Sequence, residues 1–377
     1  MRVYRLCPVY APDFKYGGSV VADYELDKAL VRLGHEINVI TTSDDSENVG
    51  SRVIDGVAVT SYRSSRPLYA LSAFALVRAA YKLFRTRSQV DIVWIGGVWN
   101  LFALLIPIFC RLLKIKYCIS PHGMLVPLLI QMKSSFMKRA MLGFGLRSNI
   151  KHAHFVHCTV DSECSDVREV VGADVKFFVM PLCFDLTKFD VKDATPELND
   201  KLRIGFVGRV TRKKRLDLLV ESISLMSKCD RGRLEILVVG TDVEGLYDRS
   251  QKSFGCGEIT YLGELYGDDL VELYKSLDVF VLTSESENFA ISVVEAAYCS
   301  CALLLSRNVG VSTFFVDGQS MLICKLSAED IAVKLRLLLH DRSLLCGLKI
   351  AAKQVSNQFS SNNFDHELLL KVINEQS

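Results

Sequence analysis

The sequence predicts an α/β protein built from two doubly wound domains that face each other across a cleft. Short apolar runs alternate with segments of helical apolar spacing, the pattern of parallel strands joined by crossover helices. The alternation lapses at residues 183–200, which are irregular, polar and acidic, and restarts at residue 202. The length, 377 residues, exceeds what one ordinary core accommodates. The expected division is therefore a first domain at 1–182, a linker at 183–200 and a second domain at 201–357.

Residues 3–6 form the first expected strand, and the loop 8–18 ends in Gly17-Gly18. Ser19 is the expected N-cap of a helix. Ala22, Leu26, Ala29, Leu30 and Leu33 share its apolar face, and Gly34 is placed to end it. A strand at 37–40 completes a βαβ opening. Asp55-Gly56 between β-forming residues signals a hairpin over 53–62. Helix 71–84, strand 92–95, helix 101–113 and strand 116–119 follow, the last running into Ser120-Pro121-His122-Gly123. Helix 135–151, strand 155–158, helix 162–171 and strand 175–180 close the first half. The second half alternates strands 202–207, 234–239, 259–262, 278–282 and 302–305 with helices 214–227, 243–252, 268–276 and 288–299, then helices between 328 and 374.

Half of the residues are apolar and about a quarter charged, which is globular composition. Residues 1–175 carry a formal charge of +6 and the remainder −4, and between 66 and 151 thirteen Lys/Arg face a single acid, Asp91. A basic, apolar first half calls for an anionic partner. Long aliphatic runs, rather than stacking aromatics, separate the basic residues, so the expected partner is a membrane surface or lipid-linked phosphate and not nucleic acid. Residues 68–84, with Arg78 and Lys82 among Tyr, Leu and Phe, suit either a bilayer surface or a partly exposed core helix. Residues 92–110 are nearly all apolar, but Gly96-Gly97 and Trp99-Asn100 interrupt them, so a strand, a turn and a buried helix are expected rather than a membrane span. The first residues lack a signal-peptide core, and the twelve cysteines form no CxxC pair. Free thiols in a reducing cytoplasm are expected, without a metal site or disulfide framework.

No GxxxxGK[ST] motif is present, and neither GxG run follows a strand to open a helix, so P-loop and nicotinamide chemistry are not expected. The second half instead opens with the run FVGRVTRKKRLDLL at 206–219. Arg209 falls at the carboxyl end of the strand and Lys214 near the start of the next helix. Carboxyl ends of strands face the ligand crevice of an open sheet. A guanidinium and an ammonium there suit the two phosphates of a diphosphate. Downstream, Glu287 lies at a strand-to-helix turn and Glu295 on the helix, with seven residues between them. They can address two ends of one bound molecule. The amides of Asn288, Phe289, Ala290 and Ile291 are expected as the unpaired donors of the first turn.

These runs, with SESENFAISVVEAAYCSCALLLS at 284–306, resemble the core of GT4-type retaining glycosyltransferases of the GT-B fold. Gly17-Gly18, Pro121-His122-Gly123 and Phe315-Val316-Asp317-Gly318 resemble further landmarks of that family in the same order. The chain departs from the family's pattern at Asn288-Phe289-Ala290, where Gly-Phe-Gly is usual. It departs again at Leu182-Cys183 and at Ser300 and Ala302, the last two replacing a Gly and a Pro.

The resemblance implies a catalytic set of Arg209, Lys214 and Glu287. The two cations would neutralise the donor diphosphate and Glu287 would hold the sugar hydroxyls. It implies substrate contacts from Gly17, Gly18, His122, Asn288, Phe289, Ala290, Ile291 and Glu295, with Glu295 on the ribose and the Gly17-Gly18 amides on the phosphates. It also implies a C-terminal helix at about 358–377 that packs back on the first domain. The expected partners are a nucleoside-diphosphate sugar and a saccharide acceptor linked to a polyprenyl diphosphate, with no metal and no cofactor. The expected place is the cytoplasm, at the inner face of the plasma membrane. A GT-B epimerase, a phosphorylase and a non-catalytic sugar-nucleotide-binding relative are the alternatives.

Overall fold

The structure, a computed structural model, describes residues 1–70, 72–132, 135–190, 201–254 and 257–374. The second part of the expected linker, 191–200, lies outside the described residues, as do Gly255 and Cys256 of one GxG run. The chain divides into two compact units, Met1–Phe184 with Ser361–Ser377, and Asp185–Ser360.

The first unit is built on eight strands. They are β1 (Arg2–Leu6), β2 (Glu36–Ser43), β3 (Gly50–Ile54), β4 (Val57–Arg63), β5 (Ile92–Gly96), β6 (Tyr117–Ser120), β7 (Phe155–Cys158) and β8 (Phe177–Val179). Their order across the sheet is β3-β4-β2-β1-β5-β6-β7-β8, parallel except for β3. Every residue of β5, β6 and β7 is buried, as expected of apolar runs in a sheet covered on both faces. Along β1 the side chains alternate: Tyr4 and Leu6 join one core, Val3 and the following Cys7 the other. The hairpin at Asp55-Gly56 forms, both residues left-handed with Ile54 opposite Val57, the turn whose twist matches its strands.

Several elements differ from expectation. The first helix starts at Gly18 with Gly17 as its N-cap, so Ser19 lies in the first turn and caps nothing. The helix expected over 135–151 is split into Ser135–Met141, a π turn at Leu142–Leu146 and Arg147–Lys151. Gly145, at φ 127°, takes a backbone conformation that breaks the helix there. The strand expected at 175–180 contracts to β8. The apolar stretch after Asp91 is β5, a loop and the helix Leu101–Leu113, which the Asn100 side chain caps through the Ala103 amide. Among the described residues no helix is long and apolar enough to cross a membrane. The helix His366–Asn374 places Leu369 and Ile373 in the first unit's core, and Lys116 donates to the Ile373 carbonyl at 2.7 Å.

Six parallel strands form the second unit: β9 (Leu202–Val207), β10 (Leu234–Val239), β11 (Ile259–Gly263), β12 (Val279–Leu282), β13 (Ala302–Ser306) and β14 (Leu322–Cys324). Their order is β11-β10-β9-β12-β13-β14. In each sheet the chain's progress reverses at one place. It lies between β1 and β5 in the first unit and between β9 and β12 in the second. Ligands bind outside the carboxyl ends of strands at such switch points.

Candidate functional site

The loops after β9 and β12 meet at the second unit's switch point. After β9, Gly208 stands at φ 135° and residues Arg212–Lys214 form a 3-10 turn. Arg215, left-handed at φ 51°, then starts the helix Leu216–Ser224, two residues later than expected. The loop after β12 holds this basic turn by its backbone. The Ser284 hydroxyl and the Glu285 amide donate to the Lys213 carbonyl at 3.1 and 2.7 Å. The Thr283 hydroxyl donates to the carbonyls of Lys214 and Arg215 at 3.2 and 3.1 Å. The turn is therefore positioned by main-chain contacts at Lys213, Lys214 and Arg215.

Arg215 is committed to structure, bridging Asp217 at 2.8 Å and Glu285 at 2.9 Å. Lys213 reaches Glu287 Oε2 at 3.4 Å. Lys214 Nζ lies against Gly208, where a Cβ would stand 2.6 Å from it. Burial lowers the Lys214 pKa from the usual lysine value; Glu287 opposes the shift, and the nearby charges of Lys213 and Arg209 add to it. Arg209 makes no ion pair among the described residues and is exposed. Two lysines thus share one carboxylate, whose buried Oε2 accepts no hydrogen bond, with the charge of Arg209 acting on Lys214 as well. Such a site attracts an anion carrying its own hydrogen-bonding groups.

Glu287 is fixed by its backbone, its amide on the Asn308 carbonyl and its carbonyl on the Gly310 amide. The helix bearing Glu295 starts at Ile291, not at Asn288. Of the four expected first-turn amides, only that of Ile291 belongs to the helix. Asn288 and Phe289 lie in the preceding loop. Ala290 is the N-cap, left-handed at φ 67° where the related pattern has glycine. The Phe289 side chain is buried against Phe359 and Phe314, so it is core. Glu295 accepts from the buried Tyr274 hydroxyl at 3.0 Å. Burial raises its carboxyl above the usual range, with Lys188 and Tyr274 opposing. Lys214 feels the charges of both Glu287 and Arg209, Glu287 pairs with Lys213, and Glu295 has its own partners.

At the first unit's switch point, a cavity of about 200 Å³ is lined by Val9, Asp23, Trp99, Asn100, His122 and Met124, among others. The Gly17 amide is already donated to the Phe14 carbonyl at 3.0 Å, which removes it from the pair of expected phosphate donors. His122, left-handed at φ 52°, sets Nε2 3.1 Å from Asp23 Oδ1. Asp23 in turn pairs with the fully buried Arg5 at 2.8 Å, and Arg5 Nε pairs with Asp27 at 2.6 Å. Sequence reasoning missed Asp23, Lys213 and Tyr274. A signal for the first was present: an arginine, Arg5, between apolar residues in the interior of β1, with two aspartates one turn apart beside the apolar face of the next helix. Among the described residues no group of three or more His, Cys, Asp or Glu could hold a metal ion, and every described cysteine is a free thiol.

Two parallel sheets, with a basic turn and an acidic loop at one switch point, define a protein of the GT-B class. Comparison with known proteins agrees. The family model described as "Glycosyl transferases group 1" matches residues 188–355, and "Glycosyl transferase 4-like domain" matches 17–183. The chain belongs to the GT4-type glycosyltransferases of the GT-B fold. It is 32% identical over 164 residues to the sulfoquinovosyl transferase SQD2 of Arabidopsis thaliana, covering 42% of this chain and 31% of that protein. It is 28% identical over 197 residues to the N,N'-diacetylbacillosaminyl-diphospho-undecaprenol alpha-1,3-N-acetylgalactosaminyltransferase of Campylobacter jejuni, covering 52% of this chain and 50% of that protein. The chain thus spans half or less of the length of these two relatives. Among solved structures, Anabaena HepE in complex with UDP and glucose superposes with a TM-score of 0.74 at 13% identity, over 99% of both chains.

Proposed function

We propose that the chain is a retaining glycosyltransferase. It moves a sugar from a nucleoside-diphosphate sugar to a saccharide carried on a polyprenyl diphosphate, in the assembly of a surface polysaccharide. One observation carries this reading: at the β9 switch point Lys213 and Lys214 share the carboxylate of Glu287, and Arg209 adds a third positive charge beside Lys214. A diphosphate supplies the negative charge that this cluster lacks. Arg209 and Lys214 hold it, Glu287 receives the sugar hydroxyls and Glu295 the ribose. The amides of Gly18 and Asn288–Ile291 add donors, and His122 meets the sugar. In the reaction the bond from the anomeric carbon to the diphosphate oxygen breaks. The acceptor hydroxyl bonds to that carbon on the same face and gives its proton to a phosphate oxygen. Preorganised cations stabilise the charge on the leaving diphosphate, the term of largest weight in such transfers. The polyprenyl acceptor has support in the name of the Campylobacter relative.

The same acceptor would bring the enzyme to an anionic membrane, at the inner face of the plasma membrane. The helix Ala73–Thr86 exposes Phe74, Val77, Tyr81 and Phe84 beside Arg78 and Arg85. Further along, Leu112, Phe136 and Phe144 are each about three-quarters or more exposed, at 74%, 86% and 84%, near Arg111, Lys114, Arg139 and Arg147. No acidic residue occurs from 92 to 151. Basic, aromatic surfaces of this kind bind anionic lipid. Retention on vesicles containing phosphatidylglycerol at low salt, but not on phosphatidylcholine, is expected; failure to be retained would remove this part.

The deciding experiment is a panel of nucleotide-sugars assayed for release of nucleoside diphosphate. Release that rises with a lipid-linked acceptor is expected. A free isomer formed without acceptor would make the protein an epimerase, dependence on orthophosphate a phosphorylase, and binding without turnover a non-catalytic relative.

A further inference from the structure

The second unit has another basic place, at the ends of β13 and β14. A cavity of about 520 Å³ opens there, lined by Arg307, Asp317, Lys325, Asp330 and Lys334 among others. Its three cations come from three segments. Arg307 follows β13 directly, Lys325 follows β14 directly, and Lys334 lies in the second turn of the helix Ala328–His340. Because β12, β13 and β14 are parallel, the cavity lies at the carboxyl ends of the strands, where such sheets take their ligands. It is separate from the site after β9, since β14 stands three strands away, roughly 14 Å. Acid and base share this cavity without pairing. Asp317 Oδ1 accepts the Ile323 amide and Asp330 Oδ2 the Lys325 amide, each at 2.8 Å, so both carboxylates are tied to the backbone. Among the described residues Arg307, Lys325 and Lys334 make no ion pair and no side-chain hydrogen bond. Three positive charges gathered without a counterion repel one another, and an anion relieves that repulsion. Arg307 and Lys325 are exposed and Lys334 is half-buried, so a ligand from solution reaches all three.

We infer that this cavity binds a phosphate that carries hydroxyl groups, either hydrogen phosphate or the phosphate monoester of a sugar or polyol. A guanidinium and two ammoniums suit the phosphate oxygens. The other oxygens of the two aspartates, Asp317 Oδ2 and Asp330 Oδ1, accept no hydrogen bond from the described residues. A carboxylate repels a fully ionised group such as sulfate, whereas it accepts from a P–OH or a sugar hydroxyl. The volume falls within the roughly 300–1,000 Å³ of small-molecule sites. The loop that carries Arg307 also anchors Glu287, whose amide donates to the Asn308 carbonyl at 3.0 Å. The inference goes beyond the proposed sugar transfer and does not rest on it.

The test follows the backbone amide resonances of Asn308, Ile323 and Lys325 in the full chain as inorganic phosphate is added, with sulfate at equal ionic strength as the control. Saturable shifts with phosphate and much smaller ones with sulfate are expected. Arg307→Ala combined with Lys334→Ala should weaken the phosphate response roughly tenfold or more. Should that double variant fail to fold, the exposed Arg307→Ala alone gives the same reading. Lys214→Ala should leave the response unmoved, which keeps the outcome separate from the site after β9. Glucose 6-phosphate distinguishes the sources: tighter binding than inorganic phosphate assigns a monoester, weaker binding the free ion, and either supports the site. Absence of saturable shifts with both, equal shifts with sulfate, a response that the Arg307 variants leave unchanged, or one that Lys214→Ala abolishes overturns the inference.

Discussion

Lys214 and Gly208 are in such close contact that any side chain at position 208 would displace the lysine, since a Cβ there would stand 2.6 Å from Nζ. The amine that the proposed chemistry needs is therefore seated on bare backbone.

Gly208→Ala should weaken donor binding as strongly as removing the lysine. It also places a Cβ on a residue at φ 135°, a cost on the order of 1–3 kcal/mol. Titration with nucleoside diphosphate and a thermal melt on one sample would measure both effects. Unchanged affinity would show that the lysine's seat is irrelevant.

Lys214→Ala should cut kcat about a hundredfold or more, as deletion of one transition-state donor does elsewhere. Desolvation lowers its pKa, so truncation removes a half-buried, disfavoured cation and should leave the melting temperature unchanged or raised. Single-turnover rates at saturating donor separate this loss from loss of binding.

Ala290→Gly should stabilise the protein. A left-handed alanine costs roughly 1–2 kcal/mol, of which unfolded-chain entropy returns about 0.4–1 kcal/mol. Urea unfolding should show a net gain below about 1.5 kcal/mol. No change would mean that the loop relaxes around the methyl group.

Acid should loosen the C-terminal helix. His35 and His366 pack ring against ring, with centroids 4.7 Å apart and Nε2 atoms in hydrogen-bond contact. Burial, the Met1 amine and His366 lower the His35 pKa. A histidine with a depressed folded pKa contributes stability that is full above its unfolded value, about 6.5, and is lost as pH falls below it. Amide exchange in His366–Asn374 should rise between pH 7.5 and 5.5, and His366→Asn should flatten that rise.

Much of the fold was legible because it rests on local pattern. β5, β6 and β12 are apolar runs that only a doubly covered sheet can bury, and Asp55-Gly56 encodes its turn outright. What stayed hidden depends on contacts distant in sequence or on backbone geometry. The start of the helix at Ile291 follows from Ala290 taking a conformation its side chain disfavours, which propensity cannot foresee. The partnership of Asp23 with His122 spans 99 positions and appears only once β1, β5 and β6 lie side by side. Arg209, Lys214 and Glu287 were legible as charges in the loops that follow β9 and β12. The pairing of Lys213 with Glu287 was not, because nothing local distinguishes it from its basic neighbours.

Thr283 and Ser284 suspend the turn at 212–215 by its carbonyl oxygens, so two small hydroxyls set where every cation of that turn can stand. Evolution or design could retune the anion site from there, replacing a hydroxyl and leaving each lysine and arginine in place.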